Sequence, residues 1–317
     1  MAIQRKKITA EDLNTLASDV NELFGDTHAG QGPSTDLQTQ DDIRWGWGGD
    51  NVEYVQPKQK LTAAFTNELV NRINLSTYRT NSTDQELVIV AQGEKVTAEF
   101  FNTAASLLDS ARNSRNKVDP ALTTLTTIKT VTSTVDNWNN QLENAVQFNF
   151  TGYESARHFF NAGGDIRLVF SITDGAGAGY NTWGGIFLDQ GTLRLNVDTM
   201  ASLNNRGVSQ DVGFAELALS EQLLYTSPSG GSSGYGGYGG YGGYGGYASS
   251  RAKIYGSIVG GNLQLRTLLD HAGLGTKVTG TITMVVSVSH PSTVTENGVT
   301  LSLPTPTATI HTPWQEI

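Results

Sequence analysis

Lys7-Ile8-Thr9-Ala10, Lys60-Leu61-Thr62-Ala63 and Lys95-Val96-Thr97-Ala98 begin three segments of this chain in the same way. In each, an Asn follows the Lys by seven positions: Asn14, Asn67 and Asn102. The pattern is a helix start. A Thr at the N-cap accepts a hydrogen bond from an orphan N–H of the first turn, and the apolar residue before it staples the entry. Apolar residues then recur at helical spacing, as Leu13, Leu16, Ala17, Val20, Leu23 and Phe24 in the first copy and Phe101, Ala104, Ala105, Leu108 and Ala111 in the third. The second copy, with Phe65, Leu69 and Ile73, is the weakest. The starts are 53 and then 35 residues apart, so these are spaced helices and not a strict solenoid. Helices of roughly 12 to 18 residues are marginal alone. Separated by Gly-rich loops, these three bury little of one another unless something covers their seam. The expectation is a docking region, residues 1–116.

From Val146 the period changes to two. Val146, Phe148 and Phe150 alternate, as do Ile166, Leu168, Phe170 and Ile172. Ile186 and Leu188, then Leu193, Leu195 and Val197, continue the pattern, followed by runs at 254–259, 263–269, 278–289, 299–303 and 308–311. Asp174-Gly175, Gly260-Gly261 and Asn297-Gly298 punctuate them as turns. The fold class expected is α+β, with three short repeated helices at the N-terminus and a C-terminal antiparallel β-sandwich of jelly-roll-like form over 146–317.

Residues 117–145 read two ways. Ile128, Val131, Val135, Trp138, Leu142 and Ala145 are spaced 3, 4, 3, 4 and 3, a heptad-like seam that favours a connector helix or short coiled coil. The Thr-rich stretch 123–134 has poor helix propensity and equally suits a strand. The run Leu87-Val88-Ile89-Val90-Ala91 is either a buried strand or a connector. Trp45 and Trp47, in the Gly-rich stretch Arg44 to Asp50, fold back onto a core or onto a partner chain.

One insertion has no place in a core. Residues 227–250 contain a Tyr-Gly-Gly array with Tyr235, Tyr238, Tyr241, Tyr244 and Tyr247. A period of three matches a polyproline-II turn and would align the five rings on one edge. The tract is a flexible linker, a recognition loop or an ordered stack. Its Tyr residues are the candidate contact residues.

Composition narrows the function. The chain carries 21 Lys+Arg against 30 Asp+Glu, a net charge of -9 over 317 residues, and its basic residues are scattered after Arg5-Lys6-Lys7. Nucleic acid is therefore not an expected partner. With no cysteine there is no disulfide framework or thiolate metal site. No apolar run of membrane-spanning length exists, so membrane insertion is not expected, and neither is an export signal.

Enzymatic signals are weak. Gly230-Gly231-Ser232-Ser233-Gly234 matches a nucleophile elbow in form only, since it lies in the low-complexity insertion. Gly175-Ala176-Gly177-Ala178-Gly179-Tyr180 lacks the final Gly of a dinucleotide loop and reads as a connection between strands. The five His, at 28, 158, 271, 290 and 311, are not spaced as helical metal pairs. No catalytic residue, metal or cofactor is expected.

Glu154 to Ile166 reads as a short amphipathic helix that buries Phe159 and Phe160, stops at Gly163-Gly164 and leads into a strand at Asp165. The segment Ala156-Arg157-His158-Phe159-Phe160-Asn161-Ala162-Gly163-Gly164-Asp165-Ile166, following the strand Val146–Phe150, resembles a module of tailed-bacteriophage virion structural proteins. The Thr-Ala helix starts also resemble the N-terminal part of such proteins. The resemblance covers about half of the chain and implies a place in a virus particle, as a component of a tail fibre, neck or baseplate made in the bacterial cytoplasm. It implies other virion proteins as partners and a homo-oligomeric state. The Tyr array lies outside the resemblance and suggests an alternative, a host-surface adhesin or glycan-binding module.

Overall fold

A computed structural model of the chain describes residues 8–25, 44–56, 58–59, 62–83, 85–229, 250–272, 277–296 and 298–317. Its N-terminal layer holds α1 (Ala10–Leu23), α2 (Ala63–Thr80) and α3 (Ala98–Asn113). Each starts where the sequence places a Thr N-cap. The hydroxyls of Thr9, Thr62 and Thr97 accept from the backbone N–H of Asp12, Phe65 and Phe100. In α1 Asp12 reaches back to the Thr9 N–H at 2.8 Å, closing a capping box.

The three helices do bury a core. Leu13, Leu16, Val20, Leu69, Ile73, Ala104 and Leu108 belong to one apolar cluster, with Trp47, Val52 and Val55 from the chain between α1 and α2. The seam that was expected to need a partner is covered from within the chain. The hairpin of β11 (Val294–Glu296) and β12 (Val299–Leu301) contributes Val294 and Leu301 to this cluster, and Ala162 joins them.

The remainder is antiparallel β structure with two helices. In the first sheet the strand order is β1 (Thr123–Trp138), β10 (Val278–Pro291), β3 (Asp165–Thr173), β4 (Leu193–Leu195) and β5 (Met200–Ser202). In the second it is β13 (Thr307–Glu316), β2 (Gln141–Asn149), β9 (Asn262–Asp270), β8 (Arg251–Val259), β7 (Gln222–Thr226) and β6 (Val208–Ser209). The alternating residues Ile166, Leu168, Phe170, Ile282, Met284 and Val286 of one sheet share a single core with Val146, Phe148, Ile254, Leu263 and Leu265 of the other. Thr267 on β9 donates to the Met284 sulfur on β10 at 3.8 Å, which ties the sheets across that core.

Two expectations are corrected here. The 117–145 segment is neither connector helix nor coiled coil but strand β1, a turn and the start of β2, so the β structure begins at Thr123 and not at 146. The heptad-like spacing has a strand origin. Val131 and Val135 are separated by two periods of two, while irregularities between Thr127 and Lys129 and between Val135 and Trp138 each insert an extra residue. Two plus one gives the two spacings of three that lie in β1.

The second correction is α5 (Gly177–Gln190), which occupies a stretch read as a strand connection followed by a strand over Ile186 and Leu188. Its glycines argue against a helix by propensity. Packing prevails: Trp183, Ile186 and Phe187 fall on one face and are buried, and Phe187 stacks on Phe170 of β3 at 5.6 Å. The Leu87–Ala91 run is an extended connector, with Leu87 buried and Val88 81% exposed.

Candidate functional site: the junction of helices and sheets

The loop Trp45-Gly46-Trp47-Gly48 sits where the helical layer meets α4 (Tyr153–Asn161), the helix between β2 and β3. Trp47 is 1% exposed. Phe24 meets its ring edge-on at 6.5 Å, and the Arg79 guanidinium lies over it at 4.5 Å. Trp45 is half-buried beneath two guanidinium groups, Arg115 at 4.2 Å and Arg112 at 5.3 Å. Each contact pairs a cation with the negative face of an aromatic ring. The loop needs its glycines. Gly46 has φ +84°, and a Cβ there would meet the Gly25 carbonyl at 2.8 Å; at Gly48, φ +76°, a Cβ would run into the His158 ring.

The α4 side is the segment singled out in the sequence, and its polar residues are spent on this loop. Arg157 is fully buried. It donates to Glu154 Oε2 at 2.8 Å through Nε and to the Trp45 carbonyl through Nη1. Asn161 Nδ2 donates to the same carbonyl at 2.8 Å. The Ala162 carbonyl accepts from Arg79 Nη2 of α2. Gly163 and Gly164 then cap α4, donating to Phe160 and Phe159 at 3.0 and 2.9 Å. Gly163 has φ +84°, and a Cβ on it would meet the Val118 side chain at 2.5 Å. On the opposite face, Phe160 stacks on Phe214 at 4.3 Å, rooting α4 in the sheet core. Arg44 extends the junction, pairing with Asp198 at 3.2 Å and with Glu216.

Burial sets the electrostatics. It lowers the Arg79 guanidinium from its ordinary value to about 9. It pushes the Tyr153 phenol up to about 12, with Arg157 opposing the rise. Both follow from the cost of a charge in a medium of low dielectric.

The arrangement can hold two bodies of secondary structure in a fixed relation. Among the described residues no group of three or more His, Asp or Glu could hold a metal. A groove of about 590 Å³ between the start of α2 and the turn at Ala91–Glu94 has Glu94 as the one titratable side chain among the described residues that line it. That carboxylate accepts the Ala91 N–H at 2.9 Å.

Tyr235, Tyr238, Tyr241, Tyr244 and Tyr247 lie outside the described residues, as does Ser232. The anchors of the tract are described. It leaves after β7 and returns into β8, which are paired neighbours. Ser227 and Ser250 are fully buried there; Ser227 Oγ accepts the Ala252 N–H at 2.9 Å, and Ser250 Oγ accepts the Ala272 N–H at 3.1 Å.

Sequence reading missed Arg79, and it missed the use made of the asparagines. Asn14 exchanges two hydrogen bonds with the backbone of Val55 at 3.0 and 2.7 Å, and Asn67 does the same with Val90 at 3.0 and 2.8 Å. A second Asn seven residues on, Asn21 or Asn74, was the available signal.

Comparison of the chain with protein-family models, with curated proteins and with solved structures finds no match in any of the three. No helix among the described residues is long and apolar enough to cross a membrane.

Proposed function

We propose that this chain is a structural component of a tailed-bacteriophage particle, in a tail fibre, neck or baseplate, whose work is assembly and not catalysis. Its three repeated N-terminal helices dock on neighbouring virion proteins as part of a homo-oligomer, and its two sheets, a jelly-roll-like β-sandwich, project or bridge. One observation carries the reading. The Arg157–Gly164 segment, which resembles a virion module, devotes Arg157, Asn161 and the Ala162 carbonyl to fastening helices to sheets. A protein that transmits load between two attachment surfaces requires such a rigid joint. Mass spectrometry of purified particles and light scattering of the isolated protein test it. Presence in the particle and a symmetric oligomer are expected, and a monodisperse monomer absent from particles refutes it.

The fixed ends of the 227–250 insertion favour a second reading. Ser227 and Ser250, next to the paired strands β7 and β8, fix the two points between which the insertion runs. An adhesin or glycan-binding module would use the insertion as a contact loop. Deleting residues 230–246 discriminates: lost adsorption with normal assembly supports the adhesin, and lost assembly supports the structural component.

A further inference from the structure

The outward faces of the two sheets differ in charge. In the second sheet, residues that alternate with the core are ionic and paired: Lys253 with Asp270 at 3.3 Å, and Arg266 with Glu221 at 2.6 Å and with Glu143 at 3.5 Å. An antiparallel sheet with one wet face carries such residues. The first sheet does not. Its central outward rows run Thr132–Thr283–Ser171 and Thr130–Val285–Val169 across β1, β10 and β3. All six residues are exposed or half-buried, Val169 at 40%, and none is charged. Lys129 of β1 falls outside these rows, opposite the buried Val286.

The two ends of this face differ in sign. Arg167 of β3 stands directly opposite Arg194 of β4, and both pair with one carboxylate, Asp165, at 2.8 and 2.7 Å. Asp165 is 2% exposed, so two half-buried guanidinium groups against one covered carboxylate leave this end positive. At the other end Asp174 follows β3 and Asp136 lies in the last turn of β1, both exposed, with Lys277 just before β10. Two carboxylates against one ammonium leave that end negative. Seven extended residues, about 23 Å, separate Arg167 from Asp174.

We propose that this face joins two copies of the chain, packed sheet on sheet about a two-fold axis that lies between them and crosses the strands between Thr283 and Val285. Such an axis reverses strand direction. It lays β10 antiparallel over β10 and sets the arginine end of each copy on the aspartate end of the other. An axis along the strands would stack arginines on arginines. The chain carries a net charge of -9, so two copies repel in most approaches. They can meet where the centre is uncharged and the ends are complementary. Covering Thr, Ser and Val buries no unpaired charge, and an isologous contact closes at two copies. Four rows over three strands cover roughly 400 Å² on each copy. That is half of a standard interface per partner, so the dimer stands in a concentration-dependent equilibrium. The proposal rests on the homo-oligomeric part of the structural reading and not on the virion, which mass spectrometry of particles decides separately.

Light scattering of the full chain over a concentration series should show monomer passing into dimer. Thr283→Glu and Val285→Glu each place two carboxylates beside the axis and should weaken association by more than about tenfold while the thermal melt of the monomer is kept. Asp174→Asn, which suits the φ of +55° at that position, should also weaken the dimer because it removes the partner of the opposing arginines. A chain without cysteine allows a readout that does not depend on the Glu variants folding. A bismaleimide should join two copies through Thr283→Cys and not through Thr309→Cys, exposed on β13 of the second sheet. A monomer throughout the series overturns the proposal. So does a dimer that folded Glu variants leave intact, or equal cross-linking at both cysteines. An unchanged or stronger dimer with Asp174→Asn overturns the axis.

Discussion

The guanidinium of Arg79 lies 4.5 Å over the ring of Trp47, in the seam between helices and sheets, and donates to the Ala162 carbonyl. It is 1% exposed, and its Nε and Nη1 have no hydrogen-bond partner among the described residues. A buried cation satisfied by one carbonyl and one aromatic face is only partly compensated. Arg79→Met keeps most of the volume and removes the charge. It is expected to stabilise the chain by about 1–2 kcal/mol in urea denaturation. A loss of similar size would show that the carbonyl and the ring already offset burial.

The paired asparagines of α1 and α2 carry a sharper cost. Asn21 and Asn74 are 5% and 6% exposed, and each satisfies one buried backbone donor and one acceptor. Replacing either by Ala strands both backbone groups, at about 2–4 kcal/mol. Asn14→Ala and Asn67→Ala, at half-buried positions, should cost less because water reaches the backbone. Equal losses at all four positions, measured by chemical denaturation, would contradict the burial argument.

Arg157 joins α4 to the Trp45 loop, so its removal should loosen the two layers before either unfolds. Arg157→Ala leaves the Trp45 carbonyl with Asn161 as its remaining donor and removes the ion pair of the half-buried Glu154, a change costing about 1.5–3 kcal/mol. Hydrogen exchange should rise first at residues 44–49 while β2 and β9 stay protected. Uniform loss of protection across the sheets would mean that the junction does not unfold as a separate unit.

Tyr153 makes stability depend on pH at the alkaline end. Its folded value, about 12, lies above the model-compound value of 10.0. Between these limits the unfolded chain loses the phenolic proton and the folded chain keeps it. The contribution is therefore whole below pH 10 and lost as pH rises toward 12. Tyr153→Phe keeps the stack on Phe214 and should flatten this part of the profile. An unchanged fall in the denaturation midpoint as the pH rises from 10.0 toward about 12 would assign the loss to other groups.

Local chemistry was legible wherever a residue type has one physical use. Thr9, Thr62 and Thr97 are N-caps as read, Gly163 ends α4, and β3 begins at Asp165. Gly260 and Gly261, at φ +57° and +80°, turn β8 into β9. The alternating runs after Val146 are strands except over Ile186 and Leu188, where a Gly-rich stretch winds into α5. Of the candidate site, the Arg157–Gly164 segment and the burial of Trp47 were readable. The partner of each was not.

The sequence alone determined where elements start, stop and change period, because capping, turn geometry and alternation depend on neighbours a few residues apart. Tertiary structure decided everything that depends on residues distant in the chain. It placed Arg79 over Trp47, set Ala162 against the helical core, and laid the 294–301 hairpin over helices that looked too sparse to pack. It also made β1 a strand despite its helical spacing. Pairing along β10 stabilises Thr123–Trp138 as a ladder, and two bulges absorb the mismatch. Periodicity cannot distinguish a bulged strand from a helix until the partner strand is present, since the extra residue is defined only by what lies opposite it.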